Sequence, residues 1–454
     1  MSYDTLYFAM FLAGVWLAFA ITPWHGWVLL AASIVFYSVA GLRDSLLAAC
    51  LIAVNYGFQF PILKNRRWLW AALAFNFGVL AYFKYRVFLV TSAGFELAGG
   101  NLIIPLGLSF YIFQLSAFLI DLSRGKAEPF YSLPRFALFK LFFGQLVAGP
   151  IMRWRQFGPQ IHRLFDGPAR RHRLIGLGLG LCLLGLVKKI VLADSIAPLV
   201  DDVFRDGPAN AAAAWYGLWL FAFQIYFDFS GYCDIGLGAA YLFGIRLALN
   251  FRQPYLSRSP QEFWQRWHIT LSQWIRDYLY IPLGGSEGGA MRNAAVLIIV
   301  MGLAGLWHGA SWTFAAWGLG WALVILLWRA FGDALAPMKA VSWLLTFVLA
   351  MVLWTFFRAA DIASAFAYCG ALFGLHSAGT AAVPPDGAGG LLALLACLSL
   401  LVLHGIEAQL FTRKAVLLLK RYDGIFVRAV FAAISIWLLL LPKTLNTPFI
   451  YFRF

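Results

Sequence analysis

The sequence predicts an all-α polytopic membrane protein, and three observations carry that prediction. Of the 454 residues, 62% are hydrophobic and 12% are charged, with a mean hydropathy of +0.77, whereas soluble chains are about 25% charged. Apolar runs approaching the ~20 residues that cross a bilayer as a helix recur along the chain. Aromatic residues make up 17%, including 19 Trp and 18 Tyr, a content suited to anchoring many helices at the membrane interfaces. These features exclude a disordered chain and a normally polar, water-exposed surface.

Taken in order, candidate spans lie near 5–22, 26–41, 46–62, 67–83, 101–121, 134–151, 174–193, 211–229, 293–309, 312–331, 341–357, 390–408 and 426–442. About 11–13 membrane segments are expected, some short or re-entrant. The first run starts at Leu6 without a basic flank or a small-residue cleavage site, and is expected to stay as a helix rather than act as a signal peptide. Lys64, Arg66 and Arg67, then Arg163, Arg170, Arg171 and Arg173, then Arg413, Lys414, Lys420 and Arg421 mark cytoplasmic loops, which places the N-terminus outside. The stretch Ser377 to Gly390 reads as a flexible connection. With no fixed-period repeat and no soluble domain at either end, residues 1–454 read as one membrane domain.

Net charge is +15 and the sequence pI about 9.7. The basic residues sit in short clusters between apolar runs, the pattern of loops drawn to an anionic leaflet, so nucleic-acid binding is not expected. Five scattered cysteines without a CxxC pair indicate neither a disulfide framework nor a metal site.

Residues 250–288 break the apolar pattern by mixing aromatics with Arg252, Arg258, Glu262, Arg266, Arg276 and Asp277. Pro260 suits the first turn of a helix over about 260–280. On it, Trp264, Trp267, His268, Leu271, Trp274, Ile275 and Tyr278 share one face, and Arg266, Thr270, Gln273 and Asp277 the opposite one. Two readings stay open: an interfacial amphipathic helix with an aromatic belt, or a helix folded inward with His268 pointing into the protein and Arg266, Arg276 and Asp277 partnered by Asp228, Asp234 and Gln114. His308 ends the uncharged run GLAGLWHGASW, where Gly302, Gly305 and Gly309 would let a neighbouring helix or a substrate chain approach. A packing histidine is the alternative there. The remaining histidines, His25, His162, His172, His376 and His404, read as loop or helix-end positions.

Upstream, Asp228 and Asp234 fall where a span is expected to end or bend, either orienting a histidine or forming an ordinary buried ion pair. The run Pro105 to Tyr111 reads as re-entrant backbone. The glycines at 176, 178 and 180 lack the strand and acidic residue of a dinucleotide fingerprint.

The segments PLGLSFYIFQ (105–114), AGPIMRWRQFGPQI (148–161), KKIVLAD (188–194), YFDFSGYCDIGLG (226–238), the block 250–285, GLWHGASW (305–312), FFRAADIASA (356–365) and the terminal FIYFRF together resemble the membrane-bound O-acyltransferases. Within that family they are most similar to the bacterial branch that O-acetylates alginate-type polysaccharides. The D-alanyl transferases of teichoic acid systems share part of the block but usually lack DYLYIPLGG, intact here. The resemblance implies a multi-helix bundle around a central funnel or tunnel, with variable helices over 1–100, a catalytic core over 101–375 and C-terminal helices over 376–454. It maps the family's catalytic histidine to His308 and the branch's second histidine to His268. Asp228, Asp234, Gln114, Arg266, Trp267, Trp274, Arg276, Asp277 and Trp307 are then the supporting positions.

The expected chemistry is acyl transfer from a thioester to a hydroxyl, with His308 as general base and His268 holding the acceptor, the oxyanion or the thioester. No metal or permanently bound cofactor is expected. The resemblance supplies acetyl-coenzyme A as cytoplasmic donor. As acceptor it supplies an exopolysaccharide or peptidoglycan hydroxyl, or a serine of an extracytoplasmic partner protein, across an inner membrane. A lipid acyltransferase is an alternative within the fold. A transporter would also place such groups in broken helices, but the sequence shows none of the internal symmetry that would favour one.

Overall fold

The computed structural model describes residues 2–96, 104–146, 149–167, 174–381, 388–410, 423–441 and 449–450. Arg170, Arg171, Arg173, His172, Arg413, Lys414, Lys420, Arg421, part of the Ser377–Gly390 connection and most of the terminal FIYFRF lie outside these residues. Among the described residues the secondary structure is helical, apart from one isolated bridge between Pro208 and Ala381. Six helical stretches are long and apolar enough to cross a membrane, and six shorter apolar helices accompany them.

The chain forms two compact units. Unit 1 comprises Met1–Val187, Gly231–Leu249 and Leu419–Pro442. It contains α1 (Leu6–Ile21), α2 (His25–Ser38), α3 (Leu42–Lys64), α4 (Arg67–Leu80), which runs through a π-turn into α5 (Arg86–Ser92), α6 (Leu108–Ser123), α7 (Leu133–Leu141), α8 (Trp154–Asp166) and α9 (Ile175–Leu186). Unit 2 comprises Lys188–Ser230, Asn250–Leu418 and Lys443–Phe454. It begins with α10 (Asp194–Asp206) and the first part of α11 (Ala211–Leu242), whose second part belongs to unit 1. It continues through α12 (Pro260–Arg266), α13 (Ile269–Ile275), α14 (Ala290–His308), α15 (Trp312–Leu335), α16 (Lys339–Arg358), α17 (Ile362–Leu372) and α18 (Ala388–Leu410), while α19 (Ile425–Leu440) returns to unit 1.

Several spans differ from expectation. The stretch 134–151 is not one span: α7 stops at Leu141 because Phe142 leaves helical geometry at ψ 115. The span over 174–193 passes through a π-turn into α10, giving 32 apolar-rich residues. The span does not end at Asp228 or Asp234, because α11 carries both inside one 32-residue helix. Partners from elsewhere in the sequence, Lys189 and the Ile450 amide, meet Asp228 inside that helix.

The interior of unit 1 joins several of its helices through amide side chains. In unit 1, Asn55 of α3 and Asn76 of α4 exchange amide hydrogen bonds at 2.8 Å in both directions. Gln59 donates to the Phe130 carbonyl at 3.0 Å and accepts from its amide at 2.8 Å. Buried Lys140 donates to Gln114 at 2.8 Å. The glycines of α9 have a packing role: a Cβ at Gly185 would lie 2.5 Å from the Gly231 carbonyl, so α9 and the end of α11 cross backbone on backbone.

Candidate functional site

The unusual block of unit 2 folds as two short helices instead of one. After α12 the chain turns at Trp267 and His268, with His268 in left-handed geometry at φ 40, ψ 54, and restarts as α13. Such a conformation in a residue with a Cβ costs about 1–3 kcal/mol and persists only where its surroundings enforce it. Segment 250–252 supplies that enforcement. Ile269 donates to the Asn250 carbonyl and Arg252 to the Arg266 carbonyl, each at 2.9 Å. The Thr270 hydroxyl donates to Asn250 Oδ1 at 2.7 Å.

The aromatic face predicted for this block packs on protein, not on lipid. Phe263 stacks on Trp321 of α15 at 4.8 Å, and Trp267 meets Trp354 of α16 at 4.9 Å. Thr270 is buried rather than outward-facing. The expected partners of the charged residues are not the ones found. Arg266 pairs with Glu262 one turn back at 2.6 Å, and Arg276 with its neighbour Asp277 at 2.6 Å. Both pairs lie toward the outside of the block, so local carboxylates neutralise them without drawing on Asp228, Asp234 or Gln114. Trp274 is buried and packs on Tyr278.

His268 and His308 come to the same aromatic cluster. Both are buried, and the Trp307 ring lies 5.8 Å from the His268 ring and 4.9 Å from that of His308. Phe229 of α11 closes the other side of His268 at 4.8 Å. Trp317 and Phe357 flank His308 at 5.0 and 5.2 Å.

The hand-off from α14 to α15 sets the position of His308. It is the last residue of α14, and Gly309 to Ser311 turn the chain into α15, with the Ser311 side chain accepting from the Thr313 amide. A Cβ on Gly305 would lie 2.1 Å from the Phe314 carbonyl, and one on Gly318 2.1 Å from that of Met301. Gly309 faces the Phe314 ring as closely. Gly302 has only ordinary contact with Leu319, so the close approach expected of it falls one turn later, at Gly305.

Asp228 is the carboxylate tied to this cluster. Lys189 bridges it at 2.9 Å and Asp194 at 2.7 Å, and the Ile450 amide donates to Asp228 at 2.7 Å. Its neighbour Phe229 carries that anchorage to His268, and Phe449 packs on Phe229 at 5.8 Å. Asp234 lies in unit 1, buried near Cys182. Gln114, also of unit 1, accepts from Lys140 and donates to the Phe139 carbonyl at 3.3 Å.

Sequence reasoning did not single out Lys188, Lys189, Asn250, His404 or Glu407. His404 is not at a helix end: it lies buried inside α18, 3.6 Å from Glu407, which also pairs with Lys188 and accepts from the Tyr226 hydroxyl at 2.7 Å. The signals were a lysine pair and an i,i+3 His–Glu pair inside apolar runs, where ionisable residues need partners. Residues of α12, α13, α14 and α15 line a half-open cavity of about 300 Å³ that includes Trp264, Ile269 and Ala304 but neither histidine. Among the described residues no group of three or more His, Cys, Asp or Glu side chains could hold a metal ion.

Comparison with known proteins agrees with this architecture. Residues 27–366 match the MBOAT, membrane-bound O-acyltransferase family. The chain is 37% identical over 365 residues to the probable alginate O-acetylase AlgI of Azotobacter vinelandii, covering 76% of this chain and 72% of that one. It is 35% identical over 392 residues to the peptidoglycan O-acetyltransferase of Helicobacter pylori, covering 77% and 74%. Similarity to the teichoic acid D-alanyltransferase of Streptococcus thermophilus is 30% over 229 residues, 47% of this chain. Helical segments fit to cross a bilayer, two buried histidines around one tryptophan and the match over residues 27–366 lead to one assignment: the chain belongs to the membrane-bound O-acyltransferase family and is an O-acyltransferase.

Proposed function

We propose that this enzyme sits in the cytoplasmic membrane and moves an acetyl group from cytoplasmic acetyl-coenzyme A to an extracytoplasmic hydroxyl, for O-acetylation of an alginate-like exopolysaccharide directly or through a partner protein. The placement of two buried imidazoles around Trp307 carries the reading. In the transfer, the acceptor oxygen bonds to the thioester carbonyl carbon and the carbon–sulfur bond breaks. His308 takes the hydroxyl proton as the bond forms and returns it to the departing thiolate. A positioned base of this kind contributes ~10²–10⁴ in rate. His268, fixed by its own backbone geometry, orients the acceptor or stabilises the oxyanion.

His308→Ala is expected to lower acetyl transfer by at least about 10²-fold while leaving detergent stability near wild type. Purified variant assayed with labelled acetyl-coenzyme A and polymer tests this, and retention of a substantial fraction of activity would remove His308 as the base. Peptidoglycan is the second acceptor to assay, since the Helicobacter relative matches over as much of the chain as the alginate one. Labelling from one face of oriented vesicles reads the donor side. Entry from the extracytoplasmic face alone would overturn the cytoplasmic donor.

A further inference from the structure

The amphipathic helix α8 builds a basic recess in unit 1 whose lining includes none of the residues assigned to acyl transfer. Phe157, Ile161 and Leu164 of α8 are buried. The opposite face presents Arg155, Gln156, Gln160 and Arg163 to a half-open cavity of about 500 Å³ that Arg246 and Ala248 also line. Gln160 grips the backbone of Arg246 from both sides, donating to its carbonyl and accepting from its amide, each at 2.9 Å. The backbone of Arg246 is thereby fixed to α8 at the rim of the recess.

Arg155, Arg163 and Arg246 are exposed and line this one space, so three like charges make it a favourable place for an anion. The described residues provide no such anion: no carboxylate pairs with Arg155, Arg163 or Arg246. Asp166, the acid nearest along α8, is taken by Arg135 at 2.6 Å, and that hydrogen bond holds its carboxyl below the usual range. Arg163 spends only its Nε, donating to the Pro159 carbonyl at 3.2 Å.

The recess also has a location. Phe165, near the end of α8, packs on Gly26 and Trp27 at the start of α2, and Phe243, beside the recess, packs on Phe19 at the end of α1. Phe130, held by Gln59 near the end of α3, stacks on His162 of α8 at 5.3 Å. These contacts place the recess at the end of unit 1 where α3 ends at Lys64, followed by Arg66 and Arg67, the end the positive-inside rule assigns to the cytoplasm.

We infer that this recess binds a phosphate group, through forked guanidinium contacts from Arg155, Arg163 and Arg246. The phosphate belongs either to an anionic lipid headgroup of the inner leaflet or to a soluble nucleotide-type ligand. The inference stands on unit 1 alone and is independent of the acceptor assigned above.

The test uses the full chain in phosphatidylcholine nanodiscs, in two arms. One titrates coenzyme A, and the other measures retention of doped phosphatidylglycerol by native mass spectrometry. The triple variant Arg155→Gln/Arg163→Gln/Arg246→Gln is expected to bind at least tenfold more weakly in one or both arms, with Arg43→Gln, at the other end of α3, unchanged. Loss in the lipid arm alone identifies a headgroup site; loss in the coenzyme A arm alone, a soluble phosphate site. Binding in the wild type should weaken with added salt. If the triple variant does not fold, Arg155→Gln on the exposed face of α8 serves, with about a threefold loss expected. No saturable binding by wild type in either arm, or variants equal to wild type in both, would overturn the site.

Discussion

Both units bury lysines and carboxamides or carboxylates among apolar helices, yet they satisfy them by different chemistry. Unit 1 joins its helices largely through amides, Asn55 with Asn76, Gln59 with the Phe130 backbone and Gln114 with Lys140, although it also buries Asp4, Asp121 and Asp234. Unit 2 uses ions: Lys188 with Glu407, and Lys189 with Asp228 and Asp194. An amide pair fixes the register of two helices and can be replaced as a pair with little loss. A buried ion pair carries a large desolvation cost on each side, and removing one member strands the other. The ionic network surrounds Tyr226 to Phe229, the turn of α11 that touches His268, so the costlier chemistry lies where position matters for reaction.

The sharpest way to break this contrast is Lys189→Met. It leaves Asp228 and Asp194 without their shared cation and should cost ~3–5 kcal/mol, read as a large fall in thermal midpoint in detergent together with loss of acetyl transfer. The double variant Lys189→Met/Asp228→Leu should regain much of the stability but not the activity, because Phe229 is no longer anchored. Recovery of both would show the network to be structural only.

A middle-sized effect is expected in unit 1. Asn55→Leu orphans an Asn76 amide and should cost about 1–3 kcal/mol, with acetyl transfer per folded molecule unchanged. Asn55→Leu/Asn76→Leu together should be nearly neutral, and a double variant as unstable as the single would contradict the register role. The smallest effect belongs to Arg266→Gln. Its pair with Glu262 is about one-third exposed on both sides and screened by water, so a change within ~1 kcal/mol is expected. A loss as large as that of Lys189→Met would mean that Arg266 has a buried role.

Legibility in the sequence followed the range of the interaction. Helices α1 to α4 and α14 to α16 were readable because apolar composition is local. The pair His268 and His308 was readable because imidazoles in uncharged surroundings stand out. What was not readable depends on residues far apart in the chain. A carboxylate on α11 looks like a helix end until Lys189, 39 positions away, is known to meet it. The single helix expected over 260–280 breaks at His268 because Asn250 and Arg252 capture its backbone, and no periodicity within the block records that. His404 was set aside as a helix-end residue, since its partners Glu407 and Gln253 become meaningful only once α18 is folded.

The backbone contact between α14 and α15 sets a tolerance. At Gly305 and Gly318 two helices touch through their backbones, with no side chain between them to absorb an error. His308 is suspended three residues beyond Gly305. The reach of the proposed base toward its substrate is therefore gauged by the thickness of two hydrogen atoms. A single methyl group at either glycine would act as a shim, pushing the imbedded imidazole off its mark without touching any group that takes part in the chemistry.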